Sequence, residues 1–452
     1  MTDPKGNVSF YPGHREIVTP RDRDQATDIL PPFFFLRRTM ADSNASDLIA
    51  GLDCGAHTIK CVIARTSEDY QPQRIVGFGV APSQGIDHNS VIVDLELAGQ
   101  AFHKAITQAE NMAGGQVGAL RIGLSSKDIE TFSALGIIPI AGGEVLDTDL
   151  EQLMDSTRHS RQVGKHLLHL LPKKFFLDKK EVANPMGLSG HRLEGHFHVV
   201  TCQQSTFNHV IDAVLHAGMD VEDVLSSSLA ACMAVSPVDH SGHATTCSID
   251  LGHAATGIVL RQGGHFFHSA RLPMGGRHIT SDISQIFDLA PSLAEQVKLT
   301  FGHASDEQPV ATNLDNKKNS ETSIKNVLLD PRLTQVIAAR IEEILFEVKK
   351  VTHSQLASAP LDCIFLTGGG SQLHGIRDYV EDIFGAPVSP NSFAHPSPVA
   401  NLVRRPYLAA AVGLLDARQN FGDWRSLEFR QSDERKKPGL LRKAYFFLKE
   451  KM

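Results

Sequence analysis

Hydrophobic and polar positions change period several times along the chain, and the changes predict its elements. An apolar run from Leu48 to Leu52 ends on Asp53, passes through Cys54-Gly55-Ala56-His57-Thr58 and returns as Ile59-Lys60-Cys61-Val62-Ile63-Ala64. That is the pattern of a strand, a tight turn and a second strand. About two hundred residues later the signature recurs, with Cys247-Ser248-Ile249-Asp250-Leu251-Gly252, then His253-Ala254-Ala255-Thr256, then Gly257-Ile258-Val259-Leu260. A repeat at that distance is too long for a solenoid. It predicts two related halves facing each other across a cleft.

Leu95, Ala98, Phe102, Ala105, Ile106, Ala109 and Met112 fall at three- and four-residue spacing before Gly114-Gly115, which predicts an amphipathic helix over 94–112 with a glycine end. Residues 121–200 alternate short strands with one helix, over 147–159, and include the turn formers Asn184-Pro185-Met186-Gly187-Leu188-Ser189-Gly190. They read as an inserted α+β subdomain. A helix over 205–216, ending at Gly218, returns the chain to its first half. Leu272-Pro273-Met274-Gly275-Gly276 leads into a helix expected to start near Thr280, capped by that hydroxyl. Residues 303–323, with Lys317-Lys318, read as a polar surface loop. Asp330-Pro331 opens a long helix with Leu333, Ile337, Ile341, Ile344, Leu345 and Val348 on one side. Cys363 to Ser371 reads as an apolar strand, the glycine turn Gly368-Gly369-Gly370 and a helix. Residues 418–437 show no sustained period and read as a charged linker.

Composition narrows the class. The chain has 452 residues, 42% hydrophobic and 21% charged, which excludes disorder as its main state. Its 44 Lys and Arg are scattered and outnumbered by 51 Asp and Glu, giving a net charge of -7 and arguing against nucleic acid as a partner. The six Cys form no C-x-x-C pair and are expected to be small buried hydrophobes in a reducing compartment. No apolar run is long enough to span a bilayer. Residues 1–46 are proline-rich and charged apart from Phe33-Phe34-Phe35-Leu36, and are expected to form a disordered arm. Two further readings are a true start at Met40 and a short partner-binding peptide. Among the 22 His, His166 with His169, His196 with His198 and His265 with His268 lack metal-site spacing and are expected to be surface or half-buried residues.

The chemistry sits at the turns. An Asp ending a strand, with Gly two residues on, sets a carboxylate beside backbone N–H groups that can face an anion. One such turn is also an ordinary hairpin. Two of them, with the glycine turn after Thr367, suggest a phosphate-binding cleft whose aspartates, Asp53 and Asp250, would hold magnesium or its waters. Plain structural turns are the other reading.

Beyond these patterns the chain resembles the FtsA family of bacterial cell-division proteins, within the actin and Hsp70 ATPase superfamily. The likeness runs from about residue 47 to the last residue. It is carried by the loop at 184–190, Thr280-Ser281-Asp282-Ile283, Ala294-Glu295-Gln296-Val297-Lys298, Leu366-Thr367-Gly368-Gly369-Gly370 and Ala411-Val412-Gly413-Leu414-Leu415. The resemblance implies an α/β, actin-like, two-lobed ribonuclease H-like fold with an inserted α+β subdomain. Its first lobe would span 47–120 and 201–240, the insertion 121–200, the second lobe 241–289 and 361–417, and a small subdomain 290–360. ATP and magnesium are the implied cofactors. Asp53 and Gly55 would lie at one phosphate hairpin, Asp250 and Gly252 at the other, and Gly275 and Gly276 beside the phosphates. Glu295 and Lys298 would meet the ribose, and Gly368, Gly369 and Gly370 the adenosine. The family usually carries a run of glycines and then threonine where this chain has Gly252-His253-Ala254-Ala255-Thr256, and small hydroxyl residues are common where it has Ala56-His57. The added imidazoles and methyls crowd a terminal phosphate, and a clash or lost donor of roughly 2–4 kcal/mol would slow the reaction roughly 30- to 1000-fold. ATP binding with weak or absent hydrolysis is therefore expected, Asp53 and Asp250 being the catalytic candidates.

The last fifteen residues follow Lys436-Lys437. At 100° per residue Leu440, Leu441, Ala444, Tyr445, Phe447 and Leu448 share a face opposite Arg442, Lys443 and Lys449. This reads as an in-plane helix on an anionic membrane over 438–452, or as a helix docked on the protein's own core. The family resemblance implies the membrane, at the cytoplasmic face of the cell inner membrane and the division site. It also implies head-to-tail self-association, docking of the FtsZ C-terminal tail around Arg332, and contact of the insertion with later divisome proteins. The alternatives are a diverged scaffold without nucleotide, and a phosphotransferase or chaperone-type ATPase of the same superfamily.

Overall fold

Two sheets of matching order frame the molecule. Leu48–Cys54 (β1), Thr58–Thr66 (β2) and Pro72–Pro82 (β3) form an antiparallel meander, and Ala119–Leu124 (β4) and Asp220–Ser226 (β9) extend it in parallel, giving the order β3-β2-β1-β4-β9. Thr245–Leu251 (β10), Thr256–Gln262 (β11), His265–Leu272 (β12) and Cys363–Thr367 (β13) repeat the arrangement as β12-β11-β10-β13. The computed structural model describes residues 48–66, 72–158, 163–235, 244–263, 265–304, 327, 330–356, 359–390 and 405–416. The arm over 1–46, the loop expected over 303–323 beyond Ala304, the linker over 418–437 and the helix over 438–452 lie outside the described residues.

Each half builds its own core. Phe102, Ala105, Ile106 and Ala109 of Leu95–Ala113 (α1) pack on the first sheet, as their spacing predicts. Asp94 caps the helix, its side chain accepting the Leu97 N–H at 3.0 Å, and Gly114 closes it in the left-handed conformation. Arg332–Leu356 (α7) turns Leu333, Ile337, Ile341, Ile344, Leu345 and Val348 into the second core, the stripe read from sequence. A third cluster joins the halves. Ser227–Val235 (α4) and Ala409–Gly413 (α9) meet there through Ala231, Ala234, Ala409 and Ala411, with Ile49, Val62 and Phe365 from the two sheets.

A third sheet, β5-β8-β6-β7, is inserted between β4 and β9. Its strands are Glu130–Pro139 (β5), Lys165–Leu177 (β6), Lys180–Val182 (β7) and Arg192–Gln203 (β8), and Asp147–Arg158 (α2) covers it through Leu150, Leu153 and Met154. Residues 121–124 belong to β4 of the first sheet, so the inserted sheet begins beyond them, because parallel pairing with β1 holds that segment. The insertion also rests on β12, where Lys173 lies 4.4 Å from the Phe267 ring centroid.

Two histidines expected to be surface or half-buried are fully buried instead, because each satisfies a backbone N–H at a junction. His169 Nε2 accepts from the Ser226 N–H at 2.9 Å, and His198 Nε2 from the Ser269 N–H at 3.0 Å. Burial, then His268 and Lys173, pull His198 down to about 3. None of the six Cys is in a disulfide; five are buried and Cys363 is half-buried.

Candidate functional site

The repeated hairpins point their turns into one cavity of about 560 Å³, within the usual range for small-ligand pockets. Asp53 is the next-to-last residue of β1 and is buried. Its Oδ2 accepts from Lys60 Nζ at 2.8 Å and its Oδ1 from Ser227 Oγ at 2.8 Å. Asp250 holds the same next-to-last place in β10, is half-buried, and accepts from Thr367 Oγ1 at 3.1 Å. Both carboxylates line the cavity, as do Gly55 and Gly252 from the turns that follow them.

Asp250 is held up at about 6, first by withdrawal from water and second by the Asp53 carboxylate, with Lys60 opposing. The folded value lies above the ordinary 3.8, so the folded state binds this proton more tightly than the unfolded chain does. The resulting penalty is absent below about 4, grows as pH rises, and is complete above about 6. Asp250→Asn is therefore expected to stabilise the ligand-free protein by about 1–3 kcal/mol at about pH 7.5 and hardly at all at about pH 4. Urea unfolding at the two pH values measures it, and equal shifts at both would contradict the electrostatic account.

The other wall comes from α5 (Gly276–Ile286) and α6 (Pro291–Phe301). Glu295 and Lys298, one turn apart on α6, both line the cavity and pair at 2.7 Å. Lys298 Nζ also donates to Thr280 Oγ1 at 2.9 Å and to the Gly276 carbonyl at 3.1 Å. Burial alone would push the Glu295 carboxyl up, but Lys298 and the Thr280 hydroxyl bring it below the usual range, while burial lowers Lys298. Thr280 does not cap α5. The helix begins four residues earlier, because Gly276 N–H bonds the Gly252 carbonyl at 2.9 Å and the His278 ring accepts the Gly275 N–H at 3.1 Å, which leaves the Thr280 hydroxyl facing the Glu295 carboxylate and its i-4 carbonyl. Gly275 backs the second turn rather than lining the cavity. A Cβ there would come within 2.6 Å of the Gly252 carbonyl oxygen.

Gly368, Gly369 and Gly370 line the end of the cavity next to β13. Gly368 has φ 81°, and a Cβ would sit 2.7 Å from Asp250 Oδ1, so only glycine follows Thr367 without strain. The expected helix does not start on this turn. A 3-10 turn, Gly369–Gln372, intervenes before Ile376–Phe384 (α8), so no α-helix N-terminus faces the ligand space there. Arg332 lies away from the cavity, on the exposed start of α7. It is held to Asp330 at 2.6 Å, and its guanidinium carbon is 5.5 Å from the Phe287 ring centroid.

Lys60 and Ser227 escaped the sequence reading. Lys60 was within reach, since the hairpin register sets it directly across from Asp53. Ser227 was not, because only the β9-to-α4 junction brings it to a residue so far away in sequence. The donor set suits an elongated anion with a hydrated divalent cation. It offers oxygen ligands at the floor and bare backbone at Gly369, where a Cβ would meet no described atom within 4 Å and would take up cavity space. It also offers Arg271 on the wall, whose Nε has no hydrogen-bond partner among the described residues.

Comparison with known proteins follows the same outline. A family model described as "Cell division protein FtsA" matches residues 247–413, and one described as "SHS2 domain inserted in FTSA" matches 126–201. The chain is 30% identical over 390 residues to the Cell division protein FtsA of Buchnera aphidicola subsp. Acyrthosiphon pisum (strain APS), covering 83% of this chain and 92% of that protein. It is 28% identical over 378 residues to that of Escherichia coli (strain K12), covering 81% and 89%. Among solved structures the PilM-PilN type IV pilus biogenesis complex superposes with a TM-score of 0.60 at 18% identity, over 81% of this chain and 97% of that one, a likeness of fold.

Proposed function

The chain belongs to the FtsA family of actin-like cell-division proteins, and from that premise we infer that it binds ATP with magnesium between its lobes and couples FtsZ polymers to the membrane. The observation carrying the nucleotide reading is the convergence of Asp53, Asp250, Gly252 and the Gly368 turn on one cavity. Magnesium, when bound, supplies the positive charge that lets phosphates approach two carboxylates. Asp53 and Asp250 would hold its waters, with Lys60 keeping the Asp53 carboxylate oriented. Gly55, Gly252 and Gly276 would present backbone to the phosphates. Glu295 and Lys298 would meet the ribose, and Gly368, Gly369 and Gly370 the adenosine. Hydrolysis is expected to be slow, since imidazoles stand at both turns where small residues serve the family.

Assembly and attachment complete the reading. Head-to-tail association of identical subunits is a heterologous contact and leads to open filaments. Arg332, 62% exposed in its side chain, offers the FtsZ tail a fixed cation at the start of α7. On the insertion, β5 is an edge strand that exposes Leu135 and Ile137, a surface suited to later divisome proteins. No helix among the described residues is long and apolar enough to cross a membrane. Attachment is assigned to the amphipathic pattern over 438–452, where half-burying five large side chains gives roughly 4–7 kcal/mol. One tail then binds reversibly and a polymer of tails binds with avidity.

Two measurements test this. Equilibrium dialysis with labelled ATP and magnesium should show saturable uptake of about one nucleotide per chain, whereas no uptake at millimolar ATP leaves a nucleotide-free scaffold. Liposome sedimentation should pellet the full chain but not a chain ending at Lys437, and equal pelleting removes the anchor.

A further inference from the structure

The tips of the two hairpin turns touch each other. His57, exposed on the β1–β2 turn, stacks on half-buried His253 of the β10–β11 turn, with ring centroids 4.6 Å apart and planes 27° from parallel. Both rings line the cavity, and each stands on a braced backbone, with the Ser83 N–H donating to the His57 carbonyl at 3.0 Å and the Arg277 N–H to the His253 carbonyl at 2.9 Å. Rings this close fill the space between the turns. A group entering there must part them, and then meets an imidazole on either side.

We propose, resting on the nucleotide reading above, that His57 and His253 form a two-imidazole clasp that opens around the terminal phosphate of ATP and holds it with uptake of a proton. A ring nitrogen is a directional donor, and a phosphate oxygen between two rings accepts from both. Facing His253 are His57 from the opposite turn, Arg277 on α5, and Glu295 and Lys298 on α6. Without a ligand, burial first and His57 second pull His253 down to about 4, Glu295 opposing and Lys298 and Arg277 assisting, so His253 rests neutral at cellular pH. An anion between the rings reverses that balance and favours their charged form. Asp53, Lys60 and Asp250 share the cavity. Asp250 also gains a proton toward lower pH, so the imidazole contribution has to be separated from it by substitution.

The experiment is isothermal titration calorimetry of the full chain with ATP or ADP plus magnesium, at about pH 6 and about pH 8, in two buffers of different ionisation enthalpy. ATP should bind about tenfold more tightly at the lower pH with net proton uptake, and ADP should change less than about threefold. In His57→Asn, His253→Asn and the double variant, each checked by its unfolding midpoint, the extra ATP slope and the extra proton uptake should vanish while ADP affinity stays within about threefold. Folded variants that keep the parent's ATP-over-ADP slope, or that bind ATP more tightly than the parent, overturn the clasp but not the nucleotide site. Absence of any nucleotide binding in parent and variants alike overturns both.

Discussion

Gly413→Ala is expected to destabilise the protein by about 3 kcal/mol or more, lowering the urea midpoint by about 1 M. The methyl has nowhere to go. α9 lies on α4 so closely that a Cβ at Gly413 would overlap the Ala230 carbonyl oxygen, and that oxygen belongs to helix backbone that cannot swing aside. Separating the helices would open the cluster of Ile49, Val62, Ala231, Ala234 and Phe365 that joins the lobes. It would also shift Ser227, at the start of α4, away from the Asp53 carboxylate it holds. Gly118→Ala is the control, since a Cβ there meets nothing within 4 Å. A Gly413→Ala midpoint within error of the Gly118→Ala midpoint would refute the close crossing.

Lys60→Met should have the largest effect on the site. The ammonium touches Asp53 at 2.8 Å, with only 13% of its side chain exposed, and also draws down the carboxyl of Asp250. Without it, two carboxylates share a cavity with no cation on Asp53. Water in the cavity moderates the penalty, so a stability loss of about 2 kcal/mol is expected at about pH 7.5, short of the full cost of a broken buried pair. The loss should shrink toward about pH 5, where a proton shared by the two carboxyls replaces the missing charge. ATP affinity should fall roughly 30- to 100-fold, about 2–3 kcal/mol, because the phosphates then approach uncompensated negative charge. Dialysis and urea unfolding at both pH values read these effects. A stability loss that is the same at both would show that Lys60 acts through packing alone.

What the chain itself determines is local and periodic. The stripe of Leu333, Ile337, Ile341, Ile344, Leu345 and Val348 dictates which side of α7 is buried, and Asp94 and Gly114 mark the ends of α1. The repeated apolar-Asp-x-Gly hairpin was enough to expect paired lobes, since alternation and turn chemistry act between neighbours in sequence. Tertiary packing decided the rest. The start of α5 moved because the Gly252 carbonyl, far back in the chain, accepts the Gly276 N–H. His169 and His198 went inside because distant strands offered them backbone N–H groups. Ser227 became a partner of Asp53 only once the β9-to-α4 junction was placed beside β1, and His57 met His253 only once the halves closed. Such contacts depend on where two separately formed surfaces come to rest, a distance that no local period encodes.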